Sequence, residues 1–156
     1  MPKIDLASAI TRTGSTYPPR YAALVAGRSY IRLGDSGGLT QFGVNIAIIA
    51  PGGQSSLLHT HSHEDEFVMV LSGRLVLETQ DGETEMGPGD CAAFPAGGGE
   101  LHHFLNRTDE EARFLVIGSR MPEDTVTYAA EVDTRIEKRD GATRVLHRDG
   151  TPWERD

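Results

Sequence analysis

Cysteine is nearly missing from this chain: Cys91 is the only one among 156 residues. A lone thiol cannot close an internal disulfide, so a reducing cytoplasm is the expected compartment and stability has to come from packing. Long apolar runs are also missing. None approaches the roughly 20 residues of a membrane-spanning helix. The opening "MPKIDLASAITRTG" lacks the apolar stretch behind a basic start that marks a secretory signal. Positive charge is in deficit, with a formal net charge of −8. The composition supplies no basic patch for a phosphate backbone, so no nucleic acid and no membrane partner is expected. What remains is a soluble single domain, long enough to bury roughly two thirds of its unfolded surface without a disulfide or a structural metal.

Glycine and proline, by contrast, are plentiful, at 18 and 8 residues. They cut the chain into short segments rich in Val, Ile, Leu and Phe, the pattern of an all-β sandwich or barrel. Strands are predicted near 29–33, 42–50, 57–61, 66–71, 74–79, 83–86, 90–94, 102–106 and 112–118. One short helix is predicted over "PPRYAALVAG" (18–27), opened by two prolines and closed by Gly27. The expected organisation is an N-terminal arm over 1–39, a barrel over 40–120 and a C-terminal extension over 121–156 that packs on the barrel through Tyr128 and Trp153. Within the extension, "RIEKR" and "ATRVLH" flank Asp140-Gly141 and can pair as a hairpin. Segments such as "FVMVL" (67–71) are apolar on both faces. A half-wet sheet alternates instead, so the outer face is expected to be covered, and a homodimer is the expected assembly.

The chemistry concentrates in "LLHTHSHEDEFVMVLSG" (57–73). On a strand, residues two apart share a face, so His59 and His61 project together. A turn through 62–65 brings Glu66 back as the first residue of the next strand. Two imidazoles and a carboxylate suit one divalent transition metal: zinc, manganese, iron, cobalt or nickel. Downstream, "GDCAAFPAGGGELHHFLN" (89–106) offers His102 or His103 as a fourth ligand, and strand parity lets only one of them face inward.

These residues resemble the two motifs of the cupin superfamily. The first, G-x5-H-x-H-x3/4-E-x6-G, matches Gly53, His59, His61, Glu66 and Gly73 at every spacing. The second, G-x5-P-x-G-x2-H-x3-N, matches Gly89, Pro95, Gly97, His102 and Asn106, except that four residues, Gly98 to Leu101, stand where the pattern has two. The intact interval from His102 to Asn106 favours His102 over His103. The resemblance covers about residues 40–118. It implies a double-stranded β-helix (jelly-roll) barrel enclosing a metal held by His59, His61, Glu66 and His102. The arm and tail resemble small bacterial single-domain cupins labelled sugar-phosphate isomerase-like, and such a label rests on fold rather than on a site.

Other residues read more plainly. His63, Glu64 and Asp65 belong to a polar turn, Glu100 to a solvated loop, and Cys91 to a strand as a buried inert thiol. Gly53, Gly73, Gly89 and Gly97 are turn glycines. Three functions fit a metal in this setting. The first is isomerisation of a phosphorylated sugar, which needs a cationic clamp for which Arg74 and Arg113 are candidates. The second is Fe(II)-dependent dioxygenation of a small organic acid. The third is non-catalytic binding of a small molecule. The sequence assigns no catalytic residue.

Overall fold

Short strands with alternating side chains assemble into two facing antiparallel sheets in the computed structural model, which describes residues 2–154. One sheet has six strands in the order β1 (Thr11–Thr13), β2 (Arg28–Ile31), β3 (Phe42–Ile49), β10 (Ala112–Ser119), β5 (Glu66–Ser72) and β8 (Cys91–Phe94). The other has seven, in the order β13 (Ala142–Leu146), β12 (Arg135–Arg139), β11 (Asp124–Tyr128), β4 (His59–His61), β9 (His102–Leu105), β6 (Leu75–Thr79) and β7 (Gly82–Met86). In the middle of each sheet the neighbours are far apart in sequence, β3 beside β10 and β10 beside β5 in one, β11 beside β4 and β4 beside β9 in the other, as a jelly roll requires.

The helix expected over 18–27 is shorter and tighter. It forms one α turn, α1 (Pro19–Ala22), that runs into a 3-10 turn at Ala23–Val25. Pro19 opens it, and the chain must already be extended at Arg28 to pair with β3. A second single turn, α2 (Leu33–Ser36), lies against β3, and neither it nor β1 was predicted. β11 pairs with β4 in the register Val126 to His61, so the segment after residue 120 extends the histidine-bearing sheet. The β12–β13 hairpin turns at Asp140 and Gly141, both with positive φ, 51° and 75°. That is the backbone twist a two-residue hairpin needs, and the reason Asp-Gly stands there.

Inward-facing residues divide the barrel lengthwise. At one end Ile49, Val68, Val70, Leu75, Phe104 and Phe114 form a dry cluster with Met86 and Phe94. Toward the other end the same strands carry Asn45, Glu66, His102 and Val116, which line an open cavity. The outward row of β5 remains apolar, and Leu71 is 42% exposed. No helix among the described residues is long and apolar enough to cross a membrane.

Gly73 shows how tightly the β5–β6 turn is seated. Its φ is 74°, and a Cβ there would lie 2.8 Å from Ala112 Cα and 2.8 Å from Glu111 O. Gly52 has the same φ of 74° with nothing within 4 Å. Gly73→Ala is therefore expected to lose about 2–4 kcal/mol through backbone strain plus overpacking, and Gly52→Ala only about 1 kcal/mol. Urea unfolding of both variants checks the order; equal losses would show that the turn yields to the added methyl.

Candidate metal centre

β4 presents His59 and His61 on one face, and their rings sit 5.2 Å apart. β9 runs beside β4 with His102 directly opposite His59, the two ring centroids being 4.6 Å apart. Glu66 reaches in from the first position of β5 in the opposing sheet. The insertion at Gly98–Leu101 is absorbed within the loop. Gly97 N–H donates to His61 O (2.9 Å), Leu101 N–H donates to Gln80 Oε1 (2.5 Å), and His102 keeps its register against Thr79. Phe94 stacks on His102 at 3.5 Å with planes 7° apart, which fixes the imidazole plane.

Each inward histidine is anchored through Nδ1. His59 Nδ1–H donates to Leu57 O (2.9 Å), His61 Nδ1–H to Asp124 Oδ2 (2.6 Å) and His102 Nδ1–H to Glu100 O (3.2 Å). This pattern leaves the Nε2 lone pairs for the cavity. Two of them face Glu66: His102 Nε2 lies 3.3 Å from Oε1 and His61 Nε2 lies 3.8 Å from Oε2. A lone pair set against a carboxylate is repulsive unless a proton or a cation stands between them. Ligand atoms of His59, His61 and Glu66 all lie within 4.8 Å of one another, a group that could hold a metal ion. His61, Glu64 and Asp124 form a second such group. There the Lys138 ammonium already pairs with Glu64, so a cation is supplied by the chain.

Burial and charge set the protonation of these groups. Burial pushes His59 down to about 4, despite the nearby Glu66 charge. Burial would also lower His61, but the Asp124 hydrogen bond and the Glu66 charge outweigh it and raise its pKa. For Glu66 burial works upward, and the His102 contact with the surrounding imidazoles brings it below its usual value. Asp124 is lowered to about 2: burial opposes this, but hydrogen bonds from His61 and from the His63 backbone N–H prevail.

The remaining sequence candidates fall outside this cluster. His103 points to the other face of β9, bonded to Ser56 O (2.8 Å) and Glu78 Oε2 (2.6 Å). His63 is exposed in the turn against Ser62 Oγ, and Asp65 accepts from Ala96 N–H (2.7 Å). The Glu100 side chain is exposed. Asn106 is structural: its Nδ2 donates to Ile49 O and Glu110 O (3.0 and 2.7 Å). Cys91 is exposed, contrary to the expected buried thiol, because Ala92 and Phe94 take the inward parity of β8. Arg74 and Arg113 do not clamp the cavity. Both lie on the outside, beside Glu85 (3.6 Å) and Glu111 (2.8 Å).

The cavity, about 350 Å3, is instead lined by Arg12, Arg28 and Arg32, with Tyr17, Tyr30 and Tyr128. Arg28, Tyr30 and Arg32 alternate and so share a face, and Arg12 on β1 stands directly opposite Tyr30. The sequence held only a faint signal for this row, the parity within "RSYIR". Asp124 carried no comparable signal.

Comparison with known proteins bears on the family and the fold. A protein family described as "Cupin domain" matches residues 45–118. No curated protein sequence gives a significant match. A crystal structure of a cupin-superfamily sugar phosphate isomerase from Silicibacter pomeroyi is 49% identical, with a TM-score of 0.92 over 97% of this chain and 96% of that one. A structure from Acidithiobacillus ferrooxidans, named provisionally as a sugar phosphate isomerase, is 31% identical, with a TM-score of 0.73 over 84% of each chain. The polyketide cyclase RemF from Streptomyces resistomycificus, at 23% identity and a TM-score of 0.65 over 84% of this chain and 88% of that one, shares the fold.

The buried neutral histidine sets a pH dependence. His59 sits near 4 folded, against 6.5 for an ordinary histidine. Between these values the unfolded chain binds a proton that the folded chain refuses, so stability is full above the higher value and falls as pH drops toward the lower. His61 acts in the opposite sense: its contribution is full below about 6.5 and is lost as pH rises through its raised value. Thermal unfolding of chelator-treated protein from pH 7 to pH 4 should show a falling Tm with a shallower slope in His59→Gln. An unchanged slope would assign the loss to other groups.

Proposed function

The chain belongs to the cupin superfamily, and from that premise we propose that it is a metal-dependent enzyme of the sugar-phosphate isomerase type, with His59, His61, Glu66 and His102 holding one divalent transition metal. The observation that carries this reading is the set of Nδ1-anchored imidazoles, of which His61 and His102 turn Nε2 toward Glu66 while His59 keeps a ligand atom within 4.8 Å of those of His61 and Glu66. Such a nitrogen and oxygen donor set suits zinc, manganese, iron or nickel. When bound, the metal polarises a carbonyl or hydroxyl oxygen of the substrate.

The chain's own residues supply the rest. Asp124 holds the His61 ring and its tautomer. Burial raises the pKa of the Tyr30 and Tyr128 hydroxyls, so both stay protonated; Tyr128 is engaged with Tyr17, and Tyr30 can donate a hydrogen bond to a substrate oxygen. Aromatic and aliphatic walls at Phe104, Phe114, Val116 and Val126 shield the inner part of the cavity from water. Isomerisation moves a proton between adjacent carbons without net oxidation, so this cavity needs no further redox group. The similarity to the Silicibacter pomeroyi isomerase favours this reaction over oxygen chemistry. A cytoplasmic location belongs to the same proposal, since an exposed lone thiol persists best in a reducing compartment.

Elemental analysis should find close to one metal per chain in wild type and His103→Ala, and none in His61→Ala. Asp124→Ala is expected to bind metal about 10–100-fold more weakly, the usual result of removing a carboxylate behind a ligating histidine. The metal-loaded protein should then exchange a carbon-bound proton of an aldose phosphate for solvent deuterium. Metal binding without exchange would replace the isomerase with a binding protein. Oxygen uptake by the iron form would replace it with a dioxygenase.

A further inference from the structure

The cavity contradicts the charge of the chain. The protein carries a formal net charge of −8. Yet the residues lining its cavity include three guanidiniums, Arg12, Arg28 and Arg32, and a single carboxylate, Glu66. Glu66 is engaged with His102 and His61. It pairs with none of the three arginines.

Their arrangement is specific. Arg28 and Arg32 flank Tyr30 along one edge, and Arg12 stands across from Tyr30 on β1. Arg28 lies 5.4 Å from the Tyr17 ring centroid and 5.5 Å from that of Tyr30, which holds its plane. Its Nη1 donates to Ser55 O, but its Nε is buried without any hydrogen-bond partner. Arg12 forms no ion pair among the described residues and is exposed at the rim. Arg32 shares Asp35 with Arg120, so Asp35 neutralises at most one of that pair. All three arginines precede the segment that matches the cupin family, 45–118.

We propose that Arg12, Arg28 and Arg32 form an anion subsite at the rim of the cavity that takes the phosphate monoester end of a small-molecule substrate. The choice of phosphate over carboxylate follows from charge and shape. A phosphate monoester carries about −1.5 to −2 at neutral pH and three acceptor oxygens, whereas a carboxylate offers one charge and two oxygens. Guanidinium forks fit such oxygens with paired N–H donors, which a carboxylate would satisfy only in part. The anion subsite stands on the arginines alone. The assignment of the other end of the substrate to the histidine cluster rests on the enzyme reading above.

Calorimetry on chelator-treated protein at low ionic strength separates the two. Inorganic phosphate should bind more tightly than acetate. Arg12→Gln and Arg32→Gln should each weaken phosphate about tenfold, the low end for a charge-assisted hydrogen bond, while His61→Ala leaves it unchanged. These two arginines are chosen because Arg28→Gln also removes the contact to Ser55 and can disturb folding. Phosphate binding that ignores both arginine variants, or that is lost in His61→Ala, would overturn the subsite. A second arm compares ribose 5-phosphate with ribose on metal-loaded protein. The ester should bind more tightly, and its advantage should shrink about tenfold in Arg12→Gln. An equal advantage in wild type and variant would overturn the phosphate-ester assignment. Loss of metal binding with the phosphate result intact would sink the enzyme reading alone.

Discussion

The site depends on a largely buried carboxylate kept ionised at the wall of the cavity. Burial alone would drive Glu66 toward its neutral form, yet it lies among imidazoles that pull it the other way. Those imidazoles are themselves pinned: His61 by Asp124, His59 by Leu57 O and His102 by Glu100 O. Turning any ring would free a buried Nδ1–H from its acceptor, so the cluster is rigid through hydrogen bonds that never enter the cavity. Rigidity of that kind matters for a cation site, because converging lone pairs repel one another and would spread apart without support.

The support comes from segments far apart in the chain. Leu57 and Glu100 belong to loops of the matched cupin segment, but Asp124 arrives on β11, hydrogen-bonded alongside β4. β12 and β13 then continue that sheet, and Lys138 on β12 neutralises Glu64 next to the cluster. The extension thus completes the electrostatics of the histidine strand. On the opposite sheet, β1 and β2 add the arginine row beyond β3. A jelly roll that ended at β3 and β10 would keep its donor cluster and lose both its rim charge and the acceptor that orients His61.

How much of this could be read from residues alone follows from the physics of each signal. His59, His61 and Glu66 were legible because strand parity and a short turn fix their relation locally. Parity allowed only one of His102 and His103 to face inward, the motif interval to Asn106 picked His102, and the two-residue insertion did no harm because a loop tied by Gly97 and Leu101 absorbed it. Parity could also have rejected Arg113, since Ala112 and Phe114 take the inward positions of β10. It could likewise have exposed Cys91. The arginine row was harder. β1 has three residues and β2 four, too few for a period to stand out, and Arg12 meets Tyr30 only through pairing across a long connection. Asp124 was invisible because its role exists only once β11 docks against β4.

One consequence concerns the way such a barrel divides its labour. The donor cluster sits on β4, β5 and β9, where a shift of one residue would turn every ligand outward. The arginines sit on an edge ribbon whose pairing with the barrel runs through β3 alone. Changes at Arg12 or Arg32 leave the histidine register untouched, because no backbone hydrogen bond links β1 or β2 to β4. At Arg12 and Arg32 the proposed anion subsite and the imidazole cluster are therefore held by different strands, though they face one cavity. That separation lets the edge ribbon alter what enters while the interior keeps the geometry its chemistry requires.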